Sequence, residues 1–190
     1  MDIRIIDDFL SPRECELMIA LALHEGMKPS QVAGGSGGVH SRGRKSEQCW
    51  LKHNFICAKI ASEVNIPLTR AESLQVLHYH EGGKYNKHYD AWLMDGSDKS
   101  NRCLEKGQRT HTALLYLNTP DEGGQTEFPR ISQTIEAREG RLVIWSNVME
   151  GSLERNPLSE HAALPVLSGE KWACNLWFRQ KVDVLKEQGI

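Results

Sequence analysis

From Ser73 onward the chain breaks into short apolar and β-branched runs, each cut off within a few residues by glycine or polar turn formers. No run there is long enough for a packed helix, so this half of the chain has to build sheets. Eight runs read as strands, at residues 74–80, 88–93, 112–117, 125–128, 134–137, 142–145, 160–163 and 171–179. Eight strands of that length suit a double-sheet jelly roll. The expected fold class is therefore mainly β, with flanking helices packed on the major sheet.

The helices come from the N-terminal third. Ser11-Pro12-Arg13-Glu14 combines an N-cap hydroxyl, a proline at the first helical position and an acid that reaches back to complete a capping box. That helix should run to about His24 and turn Cys15, Met18, Ile19, Ala22 and Leu23 toward a sheet. A second helix is expected over about residues 52–64, with Phe55, Ile56, Lys59, Ile60 and Val64 on or near one stripe. Residues 33–38 are too glycine-rich for regular structure, and they lack the strand and helix that would make them a phosphate loop. The basic stretch 40–46 reads as a solvated loop. The long polar segment 94–109 is a candidate lid, and 181–190 a polar tail.

With 190 residues and 39% hydrophobic content the chain fits one domain over 1–190, with a helical support at about 1–70 and a β core at about 71–180. A net charge of -2 gives no basic face, so nucleic acid is not an expected partner. No apolar run approaches a membrane span, and Met1 leads directly into folded-looking sequence, from which a cytoplasmic location is expected. Five scattered cysteines without CxxC spacing read as buried reduced thiols, with Cys103, in a polar stretch, the candidate for surface oxidation. Oligomeric state is not legible.

The chemistry concentrates in four residues. His88 and Asp90 are two apart in a predicted strand, which would point both to one face. His161 follows 73 residues later on another predicted strand, and Lys171 ten residues after that. Two imidazoles and one carboxylate form the facial set that holds non-haem Fe(II) with positions left open. His78 and His80 also alternate, but they run into Glu81-Gly82-Gly83, and a solvent-facing or supporting role suits them better. Zinc is the competing metal. Its structural sites cluster four Cys and His ligands, which are lacking here, and a catalytic zinc has no need of Lys171.

Longer motifs surround these residues. The run Leu74-Gln75-Val76-Leu77-His78-Tyr79 leads through Gly82-Gly83-Lys84-Tyr85 to His88-Tyr89-Asp90. Arg109 and Thr112-Ala113-Leu114-Leu115-Tyr116-Leu117-Asn118 come next, then Glu122-Gly123-Gly124-Gln125-Thr126-Glu127-Phe128-Pro129. The series closes with His161-Ala162-Ala163-Leu164-Pro165-Val166, Gly169-Glu170-Lys171-Trp172 and Leu176-Trp177-Phe178-Arg179. In this order, over about residues 70–180, the stretches resemble the prolyl 4-hydroxylases, Fe(II)- and 2-oxoglutarate-dependent dioxygenases.

The resemblance implies a cupin-like double-stranded β-helix in which His88, Asp90 and His161 bind Fe(II). Lys171 would salt-bridge the distal carboxylate of 2-oxoglutarate, and its ten-residue spacing from His161 is similar to that of collagen-type and small bacterial or algal members. Tyr79, Thr126 and Trp177 match co-substrate positions. Arg44, Tyr85 and Arg109 match positions toward the substrate, which the resemblance implies is a proline-containing peptide or protein hydroxylated at the 4-position, with O2 consumed and ascorbate as an accessory. The chain departs from the family pattern in carrying Lys87 where a proline usually precedes His88, and in its glycine-rich first loop. The same chemistry on a different amino acid or small molecule, a non-catalytic binding module and a zinc hydrolase are the rival readings.

Overall fold

The computed structural model describes residues 1–30, 43–98, 100, 101, 105 and 107–180. The expectations for 33–38, for 181–190, for Cys103 and for part of the 94–109 lid lie outside these residues. The described chain forms β1 (Ile3–Ile6), α1 (Pro12–Glu25), β2 (Lys28–Pro29), β3 (Arg44–Lys45), β4 (Glu47–Leu51), α2 (Phe55–Val64), β5 (Leu74–Tyr79), β6 (Lys84–His88) and β7 (Arg109–Tyr116). It continues with β8 (Glu122–Gly123), β9 (Thr126–Phe128), β10 (Gln133–Ile135), β11 (Leu142–Ser146), β12 (His161–Ala163), β13 (Val166–Ser168) and β14 (Lys171–Arg179).

The strands form a seven-stranded sheet in the order β1-β11-β7-β14-β5-β4-β2 and a five-stranded sheet β10-β9-β12-β6-β3, with β13 and β8 as a separate pair. All pairings are antiparallel. The jelly-roll expectation holds. Among the described residues, no helix is long and apolar enough to cross a membrane.

β14, in the middle of the major sheet, shows how the sequence divides the layers. Its two-residue period sends Trp172, Cys174, Leu176 and Phe178 into the core shared with α1 and α2. Ala173 joins the second core, which lies around Tyr116, Phe128 and Trp145 and connects the two sheets. Lys171 shares the parity of Ala173, so a cation is delivered between the sheets while the helices cover the other face.

α1 starts as the sequence predicts. Ser11 Oγ accepts from Glu14 N–H, and the Glu14 carboxylate accepts from Ser11 N–H at 2.8 Å. Cys15, Met18 and Ala22 are buried, and burying the Met18 side chain alone is worth about 2 kcal/mol. Leu23, expected on this face, is 59% exposed, because the stripe in contact with the sheet is narrower than the sequence suggests. α2 begins three residues later than expected, since the Asn54 side chain caps it by accepting from Ile56 and Cys57 N–H. Phe55, at the first position after that cap, is exposed, while Ile56, Cys57, Ile60 and Ala61 carry the buried face. The buried-thiol expectation holds for Cys15, Cys49, Cys57 and Cys174.

Two further corrections bear on the site. The strand expected at 88–93 is displaced to Lys84–His88, so Asp90 stands in the bend after the strand and not on its pleat. The basic stretch is in part not a loop, because Arg44 and Lys45 pair with Tyr85 and Lys84 as the edge strand β3.

Candidate active site

β6 and β12 are neighbours, and their register sets His88 opposite His161. The imidazole ring centres are 4.3 Å apart. Asp90, brought back by the bend after β6, lies with Oδ1 3.8 Å from His88 Nε2 and Oδ2 3.7 Å from His161 Nε2. These ligand-type atoms all fall within 4.8 Å of one another. Each ring is also oriented from behind: His88 Nδ1 lies 2.8 Å from the Asn86 carbonyl and His161 Nδ1 2.9 Å from that of Ser159. A carbonyl only accepts, so each Nδ1 carries the proton and each Nε2 presents its lone pair to the shared centre. Burial, with His161 close by, holds His88 well below the usual imidazole range, hence neutral, which is the ligand form.

Asp90 is the charged member. Burial alone would raise its carboxyl, but the polar rings of His161 and His88, the Arg109 guanidinium and the nearby Trp177 indole together outweigh it and hold the carboxyl below its usual range, hence ionised. It also accepts 2.7 Å from Thr112 Oγ1–H, and Thr112 Oγ1 in turn accepts 2.7 Å from Asn147 Nδ2–H. This buried relay has no counterpart among the sequence expectations. Thr112 and Asn147 are 22 and 57 residues from Asp90 in sequence, and nothing local marks a threonine in an apolar strand as a carboxylate's partner.

From His88 and His161 a narrow cavity runs between the sheets past Tyr85, Tyr79 and Thr126 to Lys171. Lys171 is 2% exposed, and its ammonium donates 2.6 Å to the Gly124 carbonyl. Among the described residues no carboxylate pairs with it. Burial without a counter-ion pulls its pKa from 10.5 to about 7. The Tyr79 and Tyr116 rings lie 5.3 and 5.1 Å from the ammonium, and Tyr116 donates 2.7 Å to Thr126 Oγ1, fixing the hydroxyl. Gly124 is at φ +74, and a side chain there would press on Lys171 Cδ and Pro120, so the backbone carbonyl reaches the ammonium only without one.

Other predicted positions stand around this cavity. Trp177, on the same face of β14 as Lys171 and Ala173, is paired with Thr112 of β7 and lies beside Asp90 under the Arg109 guanidinium at 3.8 Å, at the end of the site away from Lys171. Arg109 is engaged in a bidentate pair with Glu72 at 2.6 and 2.7 Å, and Arg179 reaches the same carboxylate at 2.7 Å. Arg109, expected at the substrate, is thus tied into the wall behind Asp90. Arg44 stands at the mouth, 4.7 Å over the Tyr85 ring, and Tyr85 stacks 3.7 Å on His88. Of the two histidines expected to face solvent or play a supporting role, His78 is buried and stacked 3.9 Å on Trp172, and His80 is exposed.

The sequence profile of the 2OG-Fe(II) oxygenase superfamily matches residues 74–179, the segment that carries every one of these cavity residues except Arg44. Prolyl 4-hydroxylase 5 of Arabidopsis thaliana is 33% identical over 201 residues, covering 92% of this chain and 67% of the plant protein. The chain belongs to the prolyl 4-hydroxylase family of 2OG-Fe(II) oxygenases. A relative from Acanthamoeba polyphaga mimivirus is likewise 33% identical, over 93% of this chain and 74% of its own. The viral collagen prolyl hydroxylase of Paramecium bursaria Chlorella virus-1, solved with 2OG, superposes with a TM-score of 0.76 at 29% identity, covering 94% of this chain and 96% of the viral one.

As a member of this family the protein is a 2-oxoglutarate-dependent dioxygenase with the double-stranded β-helix fold of its structural neighbours. Its residues fit both groups that the family uses. Two imidazoles and one carboxylate converge in the set suited to Fe(II), and at the far end of the cavity a buried ammonium, with no counter-ion among the described residues, is placed to receive an anion.

Proposed function

We propose that the protein hydroxylates prolyl residues at the 4-position in a peptide or protein. His88, Asp90 and His161 would hold Fe(II), and Lys171 the distal carboxylate of 2-oxoglutarate. The observation that carries the co-substrate assignment is the buried Lys171, whose ammonium donates to a carbonyl and meets no carboxylate among the described residues. A generic metal site has no use for a desolvated cation at that depth, whereas a dicarboxylate supplies the missing charge. Bound iron and 2-oxoglutarate supply the oxidative decarboxylation of the keto acid by O2, yielding succinate and CO2 and the oxidising power to hydroxylate a C–H bond.

The protein's share is placement. Thr126 Oγ1, held by Tyr116, and the Tyr79 hydroxyl are polar groups on the cavity wall near Lys171, suited to the carboxylate oxygens of the keto acid. Asp90 brings the negative charge that offsets the metal, kept ionised by its surroundings and oriented by Thr112. Tyr85, stacked on His88 with Arg44 above it, forms the side of the mouth at which a flat proline ring and its flanking carbonyls would dock. The names of the relatives support proline as the residue modified. Ascorbate is proposed as an accessory reductant that keeps iron ferrous, so its effect should be largest when peptide is withheld.

The test is succinate formation with anaerobically loaded Fe(II), 2-oxoglutarate and a proline-rich peptide, beside the same peptide with alanine for proline. Succinate that rises only with the proline peptide, and a peptide product heavier by one oxygen, are expected. Turnover indifferent to the peptide would leave the dioxygenase and remove the prolyl substrate, in favour of the same chemistry on another amino acid or small molecule.

A further inference from the structure

The two-residue period of β5 sends Tyr79 into the cofactor cavity and therefore sends His78 and His80 to the opposite face of the major sheet. There they meet Glu47, at the start of β4, which pairs directly with His78. Glu47 Oε2 is 3.4 Å from His78 Nδ1 and 3.3 Å from His80 Nε2. The three form the second cluster of metal-ligand type among the described residues, on the other side of the sheet from His88, Asp90 and His161.

Two features separate this group from an ordinary surface ion pair. The first is the spacing. Ligand atoms about 2.0–2.1 Å from a tetrahedral zinc stand about 3.3–3.4 Å apart, whereas a hydrogen bond from an imidazole to a carboxylate is usually shorter, about 2.7–2.9 Å. Both contacts to Glu47 lie near the tetrahedral edge, the one to His80 also within hydrogen-bond reach. The second is the setting of His78. Its Nε2 lies 2.7 Å from Glu170 Oε2, at the turn into β14, and its ring is stacked on Trp172 with an interplanar angle of 11°. A carboxylate behind one ring nitrogen fixes the tautomer and turns the lone pair of the other outward, the arrangement found behind metal-bound histidines. His80 and Glu47 are partly exposed, which leaves a path for an ion and a free fourth position for water.

We propose that Glu47, His78 and His80 form a second divalent-metal site of the zinc class, with Glu170 as the orienting carboxylate. The ion ties β4 to β5, and through Glu170 to the start of β14. On the reverse face of those strands stand Tyr79 and, paired with it in register, Lys171. The site therefore braces the closed end of the cofactor cavity without touching it.

The whole protein titrated with Co(II) or Zn(II) alone tests this. Wild type should bind two equivalents, and tetrahedral Co(II) at the new site should give intense visible absorption that an octahedral ion in the iron site does not. His80→Ala and Glu47→Gln should each lower binding to one equivalent and abolish the intense bands. His88→Ala should also bind one equivalent but keep the bands, and zinc should raise its thermal midpoint, a rise lost when His80→Ala is added. His80 is 63% exposed, so its replacement leaves the core alone, and the ion retained at the iron site reports that the fold is intact. One equivalent in wild type, or intense bands that survive His80→Ala, would overturn the proposal.

Discussion

Replacing Lys171 by methionine should make the protein more stable while destroying its response to 2-oxoglutarate. The side chain is buried, and its pKa falls from 10.5 to about 7 because no carboxylate among the described residues compensates the desolvated charge. At pH 7.5 the unfolded lysine is charged and the folded one largely neutral, so folding carries a cost of about 4 kcal/mol at 1.36 kcal/mol per unit. Methionine has nearly the same length and volume and removes that cost. It also leaves the Gly124 carbonyl without its 2.6 Å donor, a loss of about 1 kcal/mol. The net gain is about 3 kcal/mol, roughly 6–12 °C in the melting temperature of a chain this size. The assay is thermal and urea unfolding at pH 7.5 without metal, repeated under nitrogen with Fe(II) and 2-oxoglutarate. Wild type should be stabilised by the keto acid, and Lys171→Met should start higher and not respond to it. A variant less stable than wild type would show that the ammonium is satisfied in the folded protein. An unchanged response to 2-oxoglutarate would show that it does not bind the distal carboxylate.

The same lysine sets a pH dependence. Above about pH 7 the free protein loses this proton, and binding the anionic keto acid must restore it, so affinity should weaken up to tenfold per pH unit above 7 and level off below it. Calorimetry in buffers of different ionisation enthalpy should show proton uptake approaching one near pH 8.5, and no uptake would contradict the assignment. Thr112→Val keeps the shape of a buried residue but removes the donor to Asp90, and should weaken Fe(II) binding by about 10–100-fold with little change in 2-oxoglutarate affinity measured with the metal saturating. Gly124→Ala forces a side chain at φ +74 against Lys171 and Pro120, and should cost about 1–2 kcal/mol in urea unfolding and raise the 2-oxoglutarate requirement. Glu72→Gln removes the carboxylate shared by Arg109 and Arg179, and should destabilise the fold by about 3 kcal/mol, read by urea unfolding; a loss below about 1 kcal/mol would mean that the two guanidiniums are solvated.

Features written within a few residues are legible in the sequence itself. The capping box of Ser11 and Glu14 depends on a three-residue spacing, and it starts α1 where the sequence places it. The alternation in 171–179 depends on a two-residue period, and from it follow both the helix-facing apolar set of β14 and the inward position of Lys171. The order of His88, Asp90, His161 and Lys171 within longer motifs carries the family as well. Tertiary structure decides what depends on distant partners. The two-residue strands β2, β3 and β8 have no sequence signature, since each exists only through pairing with a neighbour. Asp90, expected on a pleat, stands in a bend, where Thr112 holds it. Arg109, expected at the substrate, is drawn to Glu72, 37 residues away, and Trp177 is carried beneath it to stand beside Asp90. Backbone period acts over a few residues and can be read there, whereas burial of a charge or a polar hydrogen is resolved by whichever partner the folded sheets bring within about 3 Å.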